Sequence, residues 1–302
     1  MATQTMSFTE LSREQHRARA IDHQRTVARF AEGFLQRRQA GKKHPVEDFL
    51  FTYYSHTPGQ LSRWHPGAGV VLAEAGSSEQ ATWKFYTTVD DGTPAGGATV
   101  DVARFREERA EMIDFARRLL GTTAAKPAQL GCFGLHEWAM VYQSQKHGQR
   151  HDEVPLRLGA AGTDDLVESL SIKCTHFDAF RFYTPSAKPL NAQQPTRETQ
   201  VQMEQPGCLH ANMDLYKWAY KLTPAISSDL LMECFDLAWR IRELDMRASP
   251  YDLRAWGYEP VRIEEPSGRA EYARTQKSFS EEAQVLRGKI LSALDHLEAL
   301  PA

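Results

Sequence analysis

Cysteine is scarce in this sequence, and its few copies lack the spacings that make cysteines structural. The chain has 302 residues and four cysteines, which lie far apart and form no CxxC pair: Cys132, Cys174, Cys208 and Cys234. Neither a disulfide framework nor a zinc ribbon is therefore indicated. Such cysteine usage fits a reducing compartment, and we expect the protein to be cytoplasmic.

Long apolar runs and a surplus of positive charge are also missing. No apolar run approaches the roughly 20 residues needed to cross a bilayer, and the N-terminus lacks a charged-then-apolar signal pattern. We therefore expect neither a membrane partner nor secretion. The formal net charge is -3, whereas nucleic-acid-binding proteins usually carry a basic surplus. A nucleic acid could therefore bind only at a local basic patch.

Three common motifs of nucleotide-binding proteins and hydrolases are absent as well. The sequence contains no GxGxxG, no GxxxxGKS/T and no GxSxG. The first two motifs place backbone amides around phosphate groups, and the third presents a nucleophilic serine. Nothing therefore supports a dinucleotide site, a P-loop or an α/β-hydrolase elbow.

The sequence does have the composition of an ordinary globular protein, with 41% apolar and 25% charged residues. Helical spacing of apolar residues and recognisable ends predict helices over 11–40, 46–55, 101–120, 132–146, 208–222, 226–247 and 268–298. Weaker alternation predicts a hairpin within 70–89 and strands over 154–159 and 168–183, with loops at 90–97 and 184–196. We therefore expect a mainly α (α+β) fold, a single helical domain over 1–302 with a small β-sheet or hairpins.

The N-terminal segment 1–43 is expected to be a basic helix packed on the body. Seven arginines lie outside its apolar stripe, and two lysines follow: Arg13, Arg17, Arg19, Arg25, Arg29, Arg37, Arg38, Lys42 and Lys43. A stripe of this kind is usually a solvated helix face. Contact with phosphate groups is the alternative.

The segment LSIKCTHFDAFRFY, residues 170–183, places polar side chains in an apolar stripe. If side chains alternate, His176 and Asp178 share a face with the apolar residues at the other even positions. Burying an unpaired charge is costly, so both side chains need partners. They form either a structural pair, held by Arg181 or backbone groups, or the floor of a site in which a carboxylate orients an imidazole.

A second histidine occurs in GCFGLHEWAMVY, residues 131–142. Phe133, His136 and Met140 lie along one helical face, so His136 also points towards apolar surroundings. The segment begins like HExxH, but Met140 stands where the second histidine would be. It is therefore not the zinc-protease motif.

A third polar stripe runs through GCLHANMDLYKWAYKL, residues 207–222. On a helix, His210, Asp214, Lys217 and Lys221 follow one another between two apolar stripes. A solvent-facing helix normally has a wider polar face, which favours a pocket lining. The alternative is a structural i,i+4 pair of His210 with Asp214.

Two further segments are rich in charged or aromatic residues. HPVEDFLFTYYSHTPGQLSRWHPG, residues 44–67, combines histidines and carboxylates with Tyr53, Tyr54 and Trp64 near proline breaks. This density suits a binding loop, although aromatic turns also pack in cores. RELDMRASPYDL, residues 242–253, alternates acid and base, which is more typical of a structural ion-pair network.

These segments together resemble a family of actinobacterial proteins labelled 3-methyladenine DNA glycosylase. The resemblance extends from about residue 11 to about residue 272 and rests on KHPVEDFLFTYYSHTPGQLSRWHPGAGVVL, GLHEWAMVY, HFDAFRFYTPSAKPLNAQQPTR, EQPGCLHANMDLYKWAYKL and IRELDMRASPYDL. It implies excision of an alkylated purine from DNA by hydrolysis of the N-glycosidic bond. DNA would then be the partner, and no cofactor would be required.

An alkylated base is cationic and leaves easily, so such an enzyme needs a stacking pocket and a carboxylate near the developing oxocarbenium ion. The resemblance thus implies stacking by Tyr53, Tyr54, Trp64, Trp138 and Trp218, and a catalytic role for Asp178 or Asp214. The candidate catalytic set also includes the three histidines introduced above, and Lys217 is a candidate ligand-binding residue.

Two other classes of function fit the same residues. Imidazoles accompanied by carboxylates suit an oxidoreductase that binds iron or haem, with His136, His176 and His210 as candidate metal ligands. A protein that binds a small molecule without catalysis would need only the pocket.

Overall fold

The structure is a computed structural model that describes residues 8–149 and 151–301. Residues 1–7, 150 and 302 of the predicted domain, including the start of the basic segment 1–43, lie outside the described residues. The twelve helices of the described chain are α1 Arg13–Gln39, α2 Phe49–Tyr53, α3 Pro58–Leu61, α4 Val102–Ala124, α5 Leu135–Ala139, α6 Ser144–His147, α7 Gly159–Ser169, α8 Phe177–Phe180, α9 Gln200–Met203, α10 Leu209–Lys221, α11 Ser228–Arg247 and α12 Pro266–Ala299.

The strands form one small sheet. They are β1 Thr9–Leu11, β2 Val70–Leu72, β3 Tyr86–Val89 and β4 Gly97–Val100, in the order β1-β2-β4-β3. β1 lies parallel to β2, and the other pairs are antiparallel. The predicted fold class, mainly α with a small sheet, is confirmed. The hairpin predicted within 70–89 is wrong, because β3 pairs with β4 across the turn-rich loop and β2 lies between β1 and β4.

The long helices follow from their sequence patterns. Ser12 accepts a hydrogen bond from the Gln15 N–H and begins α1 in a capping box. Asp101 caps α4 in the same way through the Arg104 N–H. One apolar cluster extends from Val27 on α1 to Leu300 after α12. None of the helices within residues 8–149 and 151–301 is long and apolar enough to cross a membrane.

The helix predicted over 132–146 is two short helices. Gly134 precedes α5 with a left-handed backbone, φ 73°, and Gln143 precedes α6 with φ 53°. The Gln143 N–H donates to Asp164 Oδ1 at 2.7 Å, which holds the chain in this turn. Every residue of α5 is buried, including His136.

The two strands predicted at 154–159 and 168–183 are wrong. Leu156 makes only an isolated bridge to Tyr251, and the segment between the predicted strands is the helix α7. In the second segment the backbone is not part of the sheet, and α8 occupies 177–180. Ile172, Cys174 and His176 are buried as predicted, but Thr175 between them is buried too, so the alternation ends at Cys174.

The side chain of Asn191 supports the extended backbone that follows the isolated bridge of Ile172 with Asn191. Its Oδ1 accepts from the Cys174 N–H at 2.8 Å, and its Nδ2 donates to the Cys174 carbonyl at 2.9 Å. One amide side chain thus makes both hydrogen bonds that a neighbouring strand would otherwise make. The buried backbone is satisfied in this way, and His176 is held pointing inward just before α8.

Candidate metal centre and aromatic cavity

Three imidazoles from separate segments meet in the interior. His136 on α5, His176 before α8 and His210 on α10 are 2%, 1% and 8% exposed. The ring centroids of His136 and His210 are 4.4 Å apart, and those of His176 and His210 are 5.4 Å apart. The structure therefore brings together the three histidines that the sequence indicates as inward-facing.

α10 lies deep in the protein and carries His210 together with two charged side chains. Its polar stripe of His210, Asp214 and Lys217 is enclosed, and Lys221 at the end of the helix is exposed. The stripe is therefore not a seam open to solvent. It places one imidazole, one carboxylate and one ammonium group in a row along the interior.

Asp245 on α11 lies beside both His136 and His210. One ring nitrogen of each histidine and one carboxylate oxygen of Asp245 all lie within 4.8 Å of one another, and all three residues are buried. His136 Nε2 is 2.9 Å from Asp245 Oδ1. On its other side, His136 Nδ1 lies 3.8 Å from the sulfur of Cys132, which directs Nε2 towards the carboxylate.

The polar atoms of this triad are short of partners. Both carboxylate oxygens of Asp245 and Nε2 of His136 are buried without a hydrogen bond to any described residue. The 2.9 Å between His136 Nε2 and Asp245 Oδ1 is the distance of an ion pair, which forms when His136 is protonated. Buried polar atoms are nearly always satisfied. Lone pairs converging on one point are the arrangement that a bound cation would satisfy.

The pKa values of the three triad residues depend on one another. Burial would raise the pKa of Asp245, but His136, His210 and Arg242 lower it to about 2. Burial would likewise lower the pKa of His136, but the neighbouring Asp245 raises it well above the usual value. In the metal-free chain a proton on His136 thus balances the buried carboxylate. Burial and the adjacent His136 lower the pKa of His210, so its ring is neutral and offers a lone pair.

A network of charged side chains lies on the other side of His210. His176 Nε2 is 3.4 Å from Asp214 Oδ2 and 3.5 Å from Glu204 Oε1. Lys217 Nζ donates to Asp214 at 2.7 Å and to Asp178 at 3.3 Å. Each buried carboxylate of this network therefore lies beside a basic group, as burial favours.

The pKa shifts in this network follow from its pairing. Burial would lower the pKa of Lys217, but Asp214 and Asp178 raise it above its usual range. Burial would raise the pKa of Asp214, whereas Lys217 and His176 lower it. Burial and the nearby carboxylates raise the pKa of Tyr53 to about 12. Asp214 is therefore ionised and Lys217 charged at neutral pH.

A cavity of about 370 Å³ opens next to both groups of residues. Its wall includes His210 of the triad and Asp178 of the network. The rings of Phe49 and Tyr53 stack on each other in this wall, with centroids 4.8 Å apart and an interplanar angle of 11°. The complete lining is Phe49, Thr52, Tyr53, Glu137, Met140, His151, Asp178, Ala179, Phe182, His210, Arg242 and Tyr251.

Arg242 occupies the wall between Phe49 and the triad. Its guanidinium lies 3.9 Å from the centre of the Phe49 ring. Its NH1 is 3.0 Å from Glu137 Oε1 and 3.7 Å from Asp245 Oδ2. The cation therefore neutralises Glu137 and holds the stacked ring in place.

The aromatic residues predicted to bind a ligand fall into two groups. Tyr53 lines the cavity, and the hydroxyl of Tyr54 donates to Asp214 Oδ1 at 3.0 Å. The three tryptophans lie in the core and not in the cavity wall. Trp64 packs under the sheet, Trp138 donates to the Ala248 carbonyl at 2.9 Å, and Trp218 packs on Phe115 with ring centroids 5.5 Å apart.

Sequence reasoning missed Asp245 and Glu204. Asp245 lies in the segment interpreted as an ion-pair network, yet it continues a buried stripe of α11 through Cys234, Ala238 and Ile241. His136 was identified because it is a polar residue on an apolar helical face, and Asp245 has the same feature. Glu204 follows the short helix α9, and no sequence pattern marks it.

The chain was compared with protein-family models, with curated proteins and with solved structures, and none of the three comparisons finds a match.

Proposed function

We propose that the protein is a metal-dependent oxidoreductase that binds one iron(II) ion through His136, His210 and Asp245. The observation that carries this proposal is the convergence of three buried ligand atoms within 4.8 Å. Two histidines and one carboxylate on one side of a metal form the ligand set typical of non-haem iron enzymes, and they leave other coordination positions open.

The position of the triad supports an active site. Because His210 also lines the cavity, a substrate bound there would lie beside the metal. Iron supplies redox chemistry when bound, and the protein contributes the cavity, the orientation of the ligands and the surrounding charges. The expected cytoplasmic location is reducing, which keeps iron in the divalent state.

The ligand set favours a bare ion over haem. Haem iron is held by one or two axial side chains, whereas three ligand atoms here face one point. Zinc enzymes also use two histidines and a carboxylate, so the identity of the metal is part of the test.

Metal content measured with and without Asp245 tests the proposal. Wild-type protein purified without chelators and loaded with iron(II) under anaerobic conditions is expected to retain about one iron per chain. Asp245→Asn should lose it. The matched control is Asp236→Asn, because Asp236 lies on the same helix but is half exposed and paired with Arg240. Retention of metal by Asp245→Asn would rule out the triad as the metal site. If the wild-type protein instead contains one zinc ion per chain, the metal of the site is zinc and not iron.

Excision of an alkylated purine from DNA is the second candidate function. The ring of Tyr53 and the carboxylate of Asp178 in the cavity wall support it, since a flipped cationic base needs an aromatic face and a carboxylate nearby. The purified protein incubated with alkylated DNA should then release free base. Asp178→Asn should abolish release, whereas Asp165→Asn, an exposed carboxylate on α7, should not.

Binding of a small molecule without catalysis is the remaining alternative. It would leave the chain without stoichiometric metal and without base release, while ligands would still raise the unfolding temperature.

A further inference from the structure

A second depression adjoins the aromatic cavity. It has a volume of about 540 Å³ and shares Phe49, Thr52 and His151 with the cavity. We call it the cationic groove, and its lining is Phe34, Arg38, Gly41, Lys42, Lys43, His44, Pro45, Asp48, Phe49, Phe51, Thr52, His151 and Glu153. Because α2 forms a wall of both spaces, a ligand extending out of the cavity past Phe49 enters this groove.

The rim of the groove carries three cations without acidic partners. Arg38, Lys42 and Lys43 are exposed, and within the described part of the chain no carboxylate forms an ion pair with any of them. The preceding Arg37 differs, because it binds both Glu47 and Asp48 at 2.9 Å and 2.6 Å. These two arginines are adjacent in sequence, and only Arg37 is neutralised.

The acidic groups of the groove do not cancel this charge. Asp48 accepts from Arg37 through Oδ1 and from the His44 N–H through Oδ2 at 2.7 Å, so its charge is already balanced. Glu153 is the other carboxylate of the lining and lies near His151. Three cations against one uncompensated carboxylate leave the groove positive, whereas the whole chain carries -3.

The floor of the groove is apolar. The rings of Phe34 and Phe51 stack there with centroids 5.0 Å apart, and Pro45 is buried beside them. Gly41 has φ +66°, a conformation that a residue with a side chain adopts only with strain. This turn directs the chain after α1 so that Lys42 and Lys43 stand at the groove.

We propose that the substrate of this site is a small planar aromatic molecule that carries a phosphate group, with the ring in the aromatic cavity beside Tyr53 and the phosphate at Arg38, Lys42 and Lys43. This inference rests on the proposed function, because it takes the cavity beside the metal triad as the active site. Arginine and lysine are the usual phosphate ligands in proteins. A small molecule is favoured over a nucleic-acid strand, because nucleic-acid binders neutralise many phosphates and carry a basic surplus.

Titration of naphthyl phosphate and naphthol into the full chain tests the proposal. The measurements are made by calorimetry with a chelator present, so that they do not depend on the metal. Lys42→Gln/Lys43→Gln should weaken binding of naphthyl phosphate by about tenfold or more, as loss of two charge-assisted contacts predicts. Binding of naphthol should not change. Arg274→Gln/Lys277→Gln removes two exposed charges from α12, outside both linings, and should affect neither ligand.

The other outcomes overturn the proposal in recognisable ways. If naphthyl phosphate does not bind, or if the lysine double variant and the α12 double variant behave alike, the groove is not a phosphate subsite. The lysines would then only compensate the C-terminal end of α1. If single-stranded oligothymidylate binds more tightly than naphthyl phosphate and depends more steeply on salt, the groove follows a nucleic-acid backbone. Absence of metal in the wild-type protein would reject the proposed function and leave these binding results valid.

Discussion

His136 and Asp245 lie against each other in the core, with Nε2 of the imidazole 2.9 Å from Oδ1 of the carboxylate. The contact joins the short helix α5 to the last turn of α11. Neither residue is solvated, and Arg242 lies 3.7 Å from Asp245 Oδ2, so the remaining negative charge of the carboxylate is balanced by a proton on His136 or by a metal ion. Metal binding and proton release are therefore linked at this pair.

Metal binding is expected to stabilise the fold. An ion present at about 100 times its dissociation constant adds about 2.7 kcal/mol, which raises the unfolding temperature by roughly 5 to 10 °C at about 2 to 4 °C per kcal/mol. Differential scanning fluorimetry with and without iron(II) measures this shift. It should vanish in His136→Gln and on addition of a chelator. An equal shift in His136→Gln would place the metal elsewhere.

The hydroxyl of Tyr54 is expected to contribute to stability through Asp214. Tyr54→Phe removes the donor at 3.0 Å from a buried carboxylate, and loss of a hydrogen bond to a charged group costs about 1.5 to 3 kcal/mol. Tyr53→Phe is the control, because Tyr53 is only partly buried and lines the cavity, and we expect about 1 kcal/mol or less. Urea denaturation of both variants checks the order. Equal losses would show that Asp214 does not depend on this hydroxyl.

The free energy of unfolding should decrease as the pH is lowered, because His56 is buried and neutral. Burial lowers the pKa of His56 to about 4, below the usual 6.5. The unfolded chain takes up a proton as the pH falls through 6.5, and the folded chain does so only near 4. The free energy of unfolding therefore decreases across this window, by up to about 3 kcal/mol from this group.

The variant His56→Asn isolates this contribution. Asparagine does not titrate, and its carbonyl can accept from the hydroxyl of Tyr216, which lies 3.1 Å from His56 Nδ1. Urea denaturation between pH 7.5 and pH 4.5 should show a shallower dependence in the variant than in wild type. The same slope in both proteins would mean that His56 is not the group that titrates.

Two glycines of α12 should respond in opposite ways to alanine. A Cβ on Gly268 would lie 1.9 Å from the Arg262 carbonyl oxygen, whereas a Cβ on Gly288 meets nothing within 4 Å. Gly268→Ala must displace backbone and should cost about 2 kcal/mol or more. Gly288→Ala should stabilise by about 0.5 to 1 kcal/mol, since alanine favours helix. Thermal unfolding compares them, and stabilisation by both would show that the 262–268 turn adapts freely.

The long helices could be predicted because their apolar spacing persists over many turns. α1, α4, α10, α11 and α12 all lie close to their predicted bounds. The inward direction of His136 and His210 followed from the same helical spacing, whereas that of His176 was inferred from a strand that the structure does not contain. These predictions depend on local periodicity, which a single sequence contains.

The errors arose where a tertiary contact replaced a local pattern. The sequence of 168–183 suggests a strand, but beyond an isolated bridge of Ile172 with Asn191 its backbone is paired by the Asn191 side chain and not by a second strand. Asp245 was missed because alternating acid and base along 242–253 hid its position on the buried face of α11. The aromatic side chains of Trp64, Trp138 and Trp218 gave no sign of whether they face a core or a cavity.

The single helix α10 carries residues of both the histidine–aspartate triad and the charge network. His210 belongs to the metal triad, and Asp214 and Lys217, one and two turns further on, belong to the charge network. Sliding or twisting this helix would displace all three together, so the triad and the network are mechanically coupled even though no carboxylate is shared between them. A substitution that shifts α10 at the triad would therefore also change the geometry of the charge network.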